Sequence, residues 1–143
     1  MSRSPGKAFL DTNIFVYTFD TAAPSKRAVA QQLVAQALQE RRAAISYQVV
    51  QEFLNVATRK FARPMSAADA ESYLDGVLLP LCEVFPRASL FSQALAIHHS
   101  AKIAFYDALI VSSALEAGCT VLLTEDLRHE QRIGALQVRN PFL

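Results

Sequence analysis

The chain has 143 residues, 52% hydrophobic and 19% charged, with a formal net charge of +1. The length fits one compact core, and the composition excludes disorder, which needs low hydrophobicity and high charge. Near-neutrality excludes a protein that coats a polyanion, although local basic clusters (SKR, ERR, TRKFAR, DLRHEQR) leave a nucleic-acid enzyme open.

No apolar run approaches the ~20 residues of a membrane span. The opening MSRSPGK lacks the apolar segment of a signal peptide, so a cytoplasmic protein is expected. Cys82 and Cys119 have no zinc spacing and read as two buried thiols rather than a disulfide. No linker or repeat divides the chain, so one domain over 1–143 is expected.

Residues 7–11 read as a short buried strand ending on Asp11, before a turn-forming Thr12-Asn13 pair. The run IFVYTFD is too short for periodicity to tell strand from helix. Pro24 and Ser25 suit the first turn of a helix reaching about Arg41. Val29, Leu33 and Ala37 lie on one face of it, with Ala30, Val34 and Leu38 beside them. AAIS is the second strand. YQVVQEFLNVATRKFA follows as a helix with Val49, Phe53, Val56, Ala57 and Phe61 on its core stripe, and Pro64 ends it. SAADAESYLDGVLLPL reads as one helix capped by Ser66. CEVF is the third strand. ASLFSQALAIHHSAK and YDALIVSSALEAG are helices, the second stopped by Gly118. TVLLT is the fourth strand; after a short helical or loop piece, LQV is the fifth. Short apolar strands alternating with helices predict an α/β fold of three layers, a parallel sheet covered on both faces.

Ligands in such sheets bind beyond the carboxyl ends of the strands. Asp11 ends the first strand and Asp126 lies just past the fourth. Glu52 has Val49 and Val56 at helical offsets, and Asp107 is followed by Ile110, Val111 and Ala114, so both are aligned with apolar faces. Each acid alone reads as a cap or a rim residue. Together, the four are predicted on one edge of one sheet. Carboxylates that converge raise each other's pKa unless a cation neutralises them. Oxygen ligands of this kind suit Mg²⁺ or Mn²⁺, and the matching chemistry is phosphodiester hydrolysis.

The stretches FLDTNIFVY, SYQVVQEFLNV, AFYDALIVSSALEAGC, VLLTEDL and VRNPF, with the ordered series Asp11, Glu52, Asp107 and Asp126, resemble the PIN-domain nucleases. In particular they resemble the VapC-type toxins of toxin–antitoxin pairs. The resemblance implies a five-stranded parallel sheet of order 3-2-1-4-5. It implies that Asp11 and Asp107 are the principal metal ligands and that Glu52 is a ligand or water-orienting base. It makes Asp126 the fourth acid, gives Thr12 and Asn13 the shaping of the first turn, and puts a Thr124 hydrogen bond near the metal. It further implies RNA cleavage to 5′-phosphate and 3′-hydroxyl ends with Mg²⁺ or Mn²⁺. Transfer RNA is one expected target, with messenger and ribosomal RNA open. A cognate antitoxin, and homodimers that assemble further with it on operator DNA, are the expected partners. Phe15, Phe19, Val34 and Leu38 in the first helices are candidate antitoxin contacts, or ordinary core.

Tyr47 and Tyr106 flank the acids as base-stacking or core-edge aromatics, and His129 with Arg128 and Arg132 is an RNA-backbone contact or a solvated loop. His98 and His99 are adjacent on a helix and are assigned no catalytic role. A phosphodiesterase acting on DNA or small esters, and a non-catalytic binding module, are the rival readings. A dinucleotide enzyme fails for want of a G-x-G-x-x-G after the first strand.

Overall fold

The computed structural model describes residues 6–143; the reading of MSRSPGK rests mostly on residues 1–5, which lie outside the described residues. Among the described residues six strands form one sheet: β1 (Ala8–Leu10), β2 (Ala43–Ser46), β3 (Cys82–Val84), β4 (Val121–Leu123), β5 (Arg132–Ile133) and β6 (Leu136–Arg139). Their order is β3-β2-β1-β4-β6-β5. The first five positions are parallel and follow the expected 3-2-1-4-5 order, with β6 as the fifth parallel strand. Phe9 on the central strand pairs with Ala44 on one side and Leu122 on the other, and all three are fully buried. Continuous apolar runs are what a strand covered on both faces requires.

The helices are α1 (Thr12–Tyr17), α2 (Pro24–Glu40), α3 (Tyr47–Arg59), α4 (Ala67–Tyr73), α5 (Leu79–Leu81), α6 (Ala88–Ala101) and α7 (Phe105–Glu116). The ambiguous IFVYTFD run is helical as far as Tyr17, in a helix that Asp11 caps, accepting a hydrogen bond from the Thr12 amide. On α2 the buried residues are Ala30, Val34 and Ala37, so the helix is turned toward that stripe and Val29 is only partly buried. The α3 stripe is as expected, with Val49, Phe53 and Ala57 buried. Phe15 and Val34 belong to the core, 0% and 7% exposed, with α1 packed on α2; neither offers a partner a surface. Phe19 is 40% exposed and Leu38 partly buried.

Three boundaries differ from expectation. The helix through Phe61 stops at Arg59, because Pro64 disfavours helix at Arg63 and the chain turns so that the Met65 amide meets the Ala57 carbonyl at 2.9 Å. The single helix from Ala67 to Leu81 is broken by a π-helical segment, Leu74–Leu78. Pro80 has no N–H to offer the Gly76 carbonyl, and the turn before it widens, the Leu79 amide reaching back to Leu74. The piece between β4 and β6 contains a strand, β5, that returns antiparallel on β6 through a two-residue turn with Gly134 at φ +59°.

Gly118 follows α7 at φ +75°, the left-handed residue expected there. The cysteines are free: Cys119 is buried, which pushes its thiol up to about 12, and Cys82 is only partly buried. Among the described residues no helix is long and apolar enough to cross a membrane.

Candidate active site

The β1–β4 pairing places the two loops that matter side by side. It continues one step beyond the strands, with the Asp11 amide donating to the Leu123 carbonyl at 3.0 Å. Asp11 is 6% exposed. Its carboxylate accepts from the Thr12 amide at 2.7 Å and from the Thr124 hydroxyl at 2.8 Å. Thr124, fully buried, also accepts from the Asn13 side-chain amide at 3.2 Å and from the Asp126 backbone amide at 3.0 Å. Asn13 reaches the Asp126 carboxylate as well, at 3.1 Å. The acid ending β1 and the acid following β4 are thus joined through Asn13 and Thr124.

Glu52 comes to the same edge from the second turn of α3, where its carboxylate accepts from the Thr12 hydroxyl at 3.4 Å. Asp107 comes to it from the first turn of α7. Burial pushes the Asp11 carboxyl up to about 7, against the lowering effect of its Thr124 and Thr12 bonds. Burial also raises Glu52 and Asp107. The negative charge of Asp126 adds to the rise in all three. Four acids from four parts of the chain therefore share one electrostatic environment.

Two observations fit the site to a hard cation. Among the described residues, the buried side-chain oxygens without a hydrogen-bond partner are Asn13 Oδ1, Ser46 Oγ and Gln48 Oε1. Asn13 follows Asp11, and Ser46 and Gln48 precede Glu52; unpaired buried oxygens call for water or an ion. The donors are hard oxygens throughout, the type Mg²⁺ and Mn²⁺ prefer. Among the described residues no three acidic, histidine or cysteine side chains close around one point tightly enough to cage a metal. Mg²⁺ does not need such a cage; one or two carboxylates, with water and substrate phosphate, commonly suffice.

Neighbouring groups divide cleanly between site and scaffold. Glu125, beside Asp126, is turned to the Tyr17 hydroxyl at 2.6 Å and to Lys26 at 3.0 Å, and Tyr17 packs on Phe142. His98 Nδ1–H donates to the Ile103 carbonyl, 2.6 Å away, where α6 ends. His129 accepts from the Asn140 amide at 3.0 Å, which ties it to the chain's last loop. Tyr106 projects into solvent, 69% exposed, and Tyr47 is half-buried. Sequence reading missed Ser46 and Gln48; the available signal was Gln48 four residues before Glu52, a polar pair on one helix face.

Thr124→Val removes one donor and one acceptor at the centre of this network. It should cost about 1–3 kcal/mol in urea unfolding, since Asp11 and the Asp126 amide each lose a partner. It should also raise the Asp11 pKa further, because the Thr124 bond holds it down.

The model of the PIN domain family matches residues 8–134. The chain belongs to the PIN domain family. Nuclease chemistry is what that family implies. No curated protein matches in sequence. Among solved structures, the PIN fold here is similar to a toxin–antitoxin complex from Klebsiella pneumoniae, with 20% identity over 94% of this chain and 98% of that one, and a TM-score of 0.66. It is similar to DNA-bound VapBC from Salmonella typhimurium, with 22% identity over 96% and 99% and a TM-score of 0.62. It is also similar to VapC20 from Mycobacterium tuberculosis, a Sarcin-Ricin loop cleaving toxin, with 19% identity over 84% and 92% and a TM-score of 0.59. At these identities the likeness is one of fold.

Proposed function

We propose that this PIN domain is an endoribonuclease dependent on Mg²⁺ or Mn²⁺, and the toxin of a toxin–antitoxin pair. The observation that carries the reading is the hydrogen-bonded join of Asp11 to Asp126 through Asn13 and Thr124, with Glu52 tied to the same turn through Thr12. Asp11 and Asp107 would hold the cation, with Glu52 and Asp126 completing the acidic site. A cation bound there offsets the charge of a phosphodiester and lowers the pKa of water. Glu52, at the exposed rim, is placed to orient an attacking water and take its proton. Asn13 and Thr124 fix the Asp11 and Asp126 carboxylates, and Thr12 fixes Glu52. In-line attack of that water on phosphorus, with the P–O3′ bond breaking, would leave a 5′-phosphate and a 3′-hydroxyl. The domain would occupy residues 1–143 and work in the cytoplasm.

The partner is read as a cognate antitoxin, with a homodimer of the toxin. Two of the solved structures above are named as toxin–antitoxin or VapBC assemblies, one with DNA bound, and these names support that reading. Of the four expected contacts, Phe19 borders a groove of about 790 Å³ with Val16, Val56, Lys60, Phe61 and Arg63. An apolar antitoxin segment suits its apolar floor, with Lys60, Arg63 and Asp20 among its charged lining residues.

The test is cleavage of total bacterial RNA with Mg²⁺ or Mn²⁺, wild type beside Asp107→Asn, with an EDTA control. Discrete fragments from the wild type alone, lost in EDTA, are expected, with DNA and nitrophenyl phosphates untouched. Cleavage of DNA in place of RNA would replace the substrate, and no cleavage by folded, antitoxin-free protein would replace the enzyme with a binding module.

A further inference from the structure

Gln48 is 5% exposed, an unusual burial for glutamine. It sits in the first turn of α3, four residues before Glu52 and so on the same helix face. Its side-chain Nε2 donates to the backbone carbonyl of Tyr106 at 3.3 Å, one residue before Asp107. One turn before Glu52, the Gln48 amide also opposes the rise that burial causes in that acid's pKa. Its Oε1 is buried without a partner, an arrangement an apolar side chain of the same size would avoid. Gln48 thus touches both helices that bring an acid to the site from outside the β1–β4 network.

We propose that Gln48 is a positioning residue, a brace that sets the separation between the Glu52 carboxylate on α3 and the first turn of α7 that presents Asp107. It rests on the acidic site proposed above being a metal site. Reacting groups misplaced by even ~1 Å lose on the order of 100-fold in rate, so a brace between two of the four acids acts on chemistry without touching substrate.

The test is a double-mutant cycle on Mn²⁺ binding. Mn²⁺ is titrated calorimetrically into metal-free wild type, Gln48→Met, Glu52→Gln and the double variant, and each is melted in EDTA. Gln48→Met keeps the packing volume and removes the amide; Gln48→Leu replaces it if the methionine variant does not fold. Gln48→Met should weaken Mn²⁺ binding about tenfold, the scale of a lost outer-shell partner. It should lower kcat for RNA by a similar factor with KM little changed, and leave the melting temperature in EDTA within about 3 °C or raise it. In the Glu52→Gln background the same change should alter Mn²⁺ affinity less than about twofold, since the brace then holds no carboxylate. Unchanged affinity in the wild-type background overturns the proposal. So does an equal loss in both backgrounds, which is the mark of general packing. A wild type that binds no Mn²⁺ overturns the metal-site reading, and the brace with it.

Discussion

Asp11→Asn is expected to melt several degrees above the wild type at pH 8 and to cleave no RNA. The Asp11 carboxyl has a pKa of about 7 in the fold against an ordinary 3.8, because it is buried. Between those values the folded chain binds a proton that the unfolded chain has lost. Stability therefore falls as pH rises from about 4 to about 7, and is flat above. Three pKa units amount to about 4 kcal/mol as a ceiling. Asparagine carries no charge to desolvate and still caps α1, since both residues accept from the helix amide. It cannot accept from both Thr12 and Thr124, and the bond lost returns about 1 kcal/mol. The net gain is about 2–3 kcal/mol above pH 7, or roughly 5–10 °C in a domain of this size. Below pH 4 the gain should vanish. Melting both proteins across pH 4–8 measures it. Mg²⁺ should raise the wild-type melting temperature and leave the variant unmoved, because only the ionised carboxylate gains by binding it. A variant less stable than the wild type at pH 8 would mean that Asp11 is a structural cap and nothing more.

Phe53→Ala is expected to cost about 3–5 kcal/mol, a large part of the stability of an ordinary domain. Phe53 is 0% exposed. Its ring stacks on Tyr73 at 4.8 Å and meets Phe19 and Phe61 at 6.0 Å and Phe15 at 6.4 Å. These residues come from α1, α3, α4 and the chain around them, so one ring clamps three helices. Alanine would leave a cavity that none of its neighbours can collapse into without moving a backbone. The melting temperature should fall by roughly 10–15 °C. Phe19→Ala, at the solvent edge of the same cluster, should cost less than about 2 kcal/mol. Equal losses at the two positions would mean that the cluster is not the anchor of α3, and that Glu52, next to Phe53, is held by something else.

The central sheet and its order were legible because short apolar strands alternating with helices admit few arrangements. Asp11 and Asp126 were legible as strand-end acids, and Glu52 and Asp107 as acids on apolar helix faces. What escaped depends on contacts distant in sequence or on turns too short for a pattern. The helix after Asp11 has six residues, and only the cap identifies it. β5 has two residues and is defined by the strand it pairs with. The π-helical segment follows from one missing N–H at Pro80. Gln48 escaped because its partner is a carbonyl 58 residues away, on another helix. Phe15 and Val34 were indistinguishable from partner contacts because an apolar stripe does not say whether the surface it meets belongs to its own chain.

The most direct test of the account is the chemistry of the RNA ends. On the proposed mechanism a cation held by Asp11 and Asp107 would activate water for attack on phosphorus with O3′ leaving, so fragments made by the wild type in Mg²⁺ should carry 5′-phosphate and 3′-hydroxyl termini, and Asp11→Asn and Asp107→Asn should make none. Fragments ending in 2′,3′-cyclic phosphate would place the nucleophile on the RNA itself, and cleavage that persists in EDTA or in either variant would show that the cation or the acid is not required; either result contradicts the acidic site as the seat of catalysis.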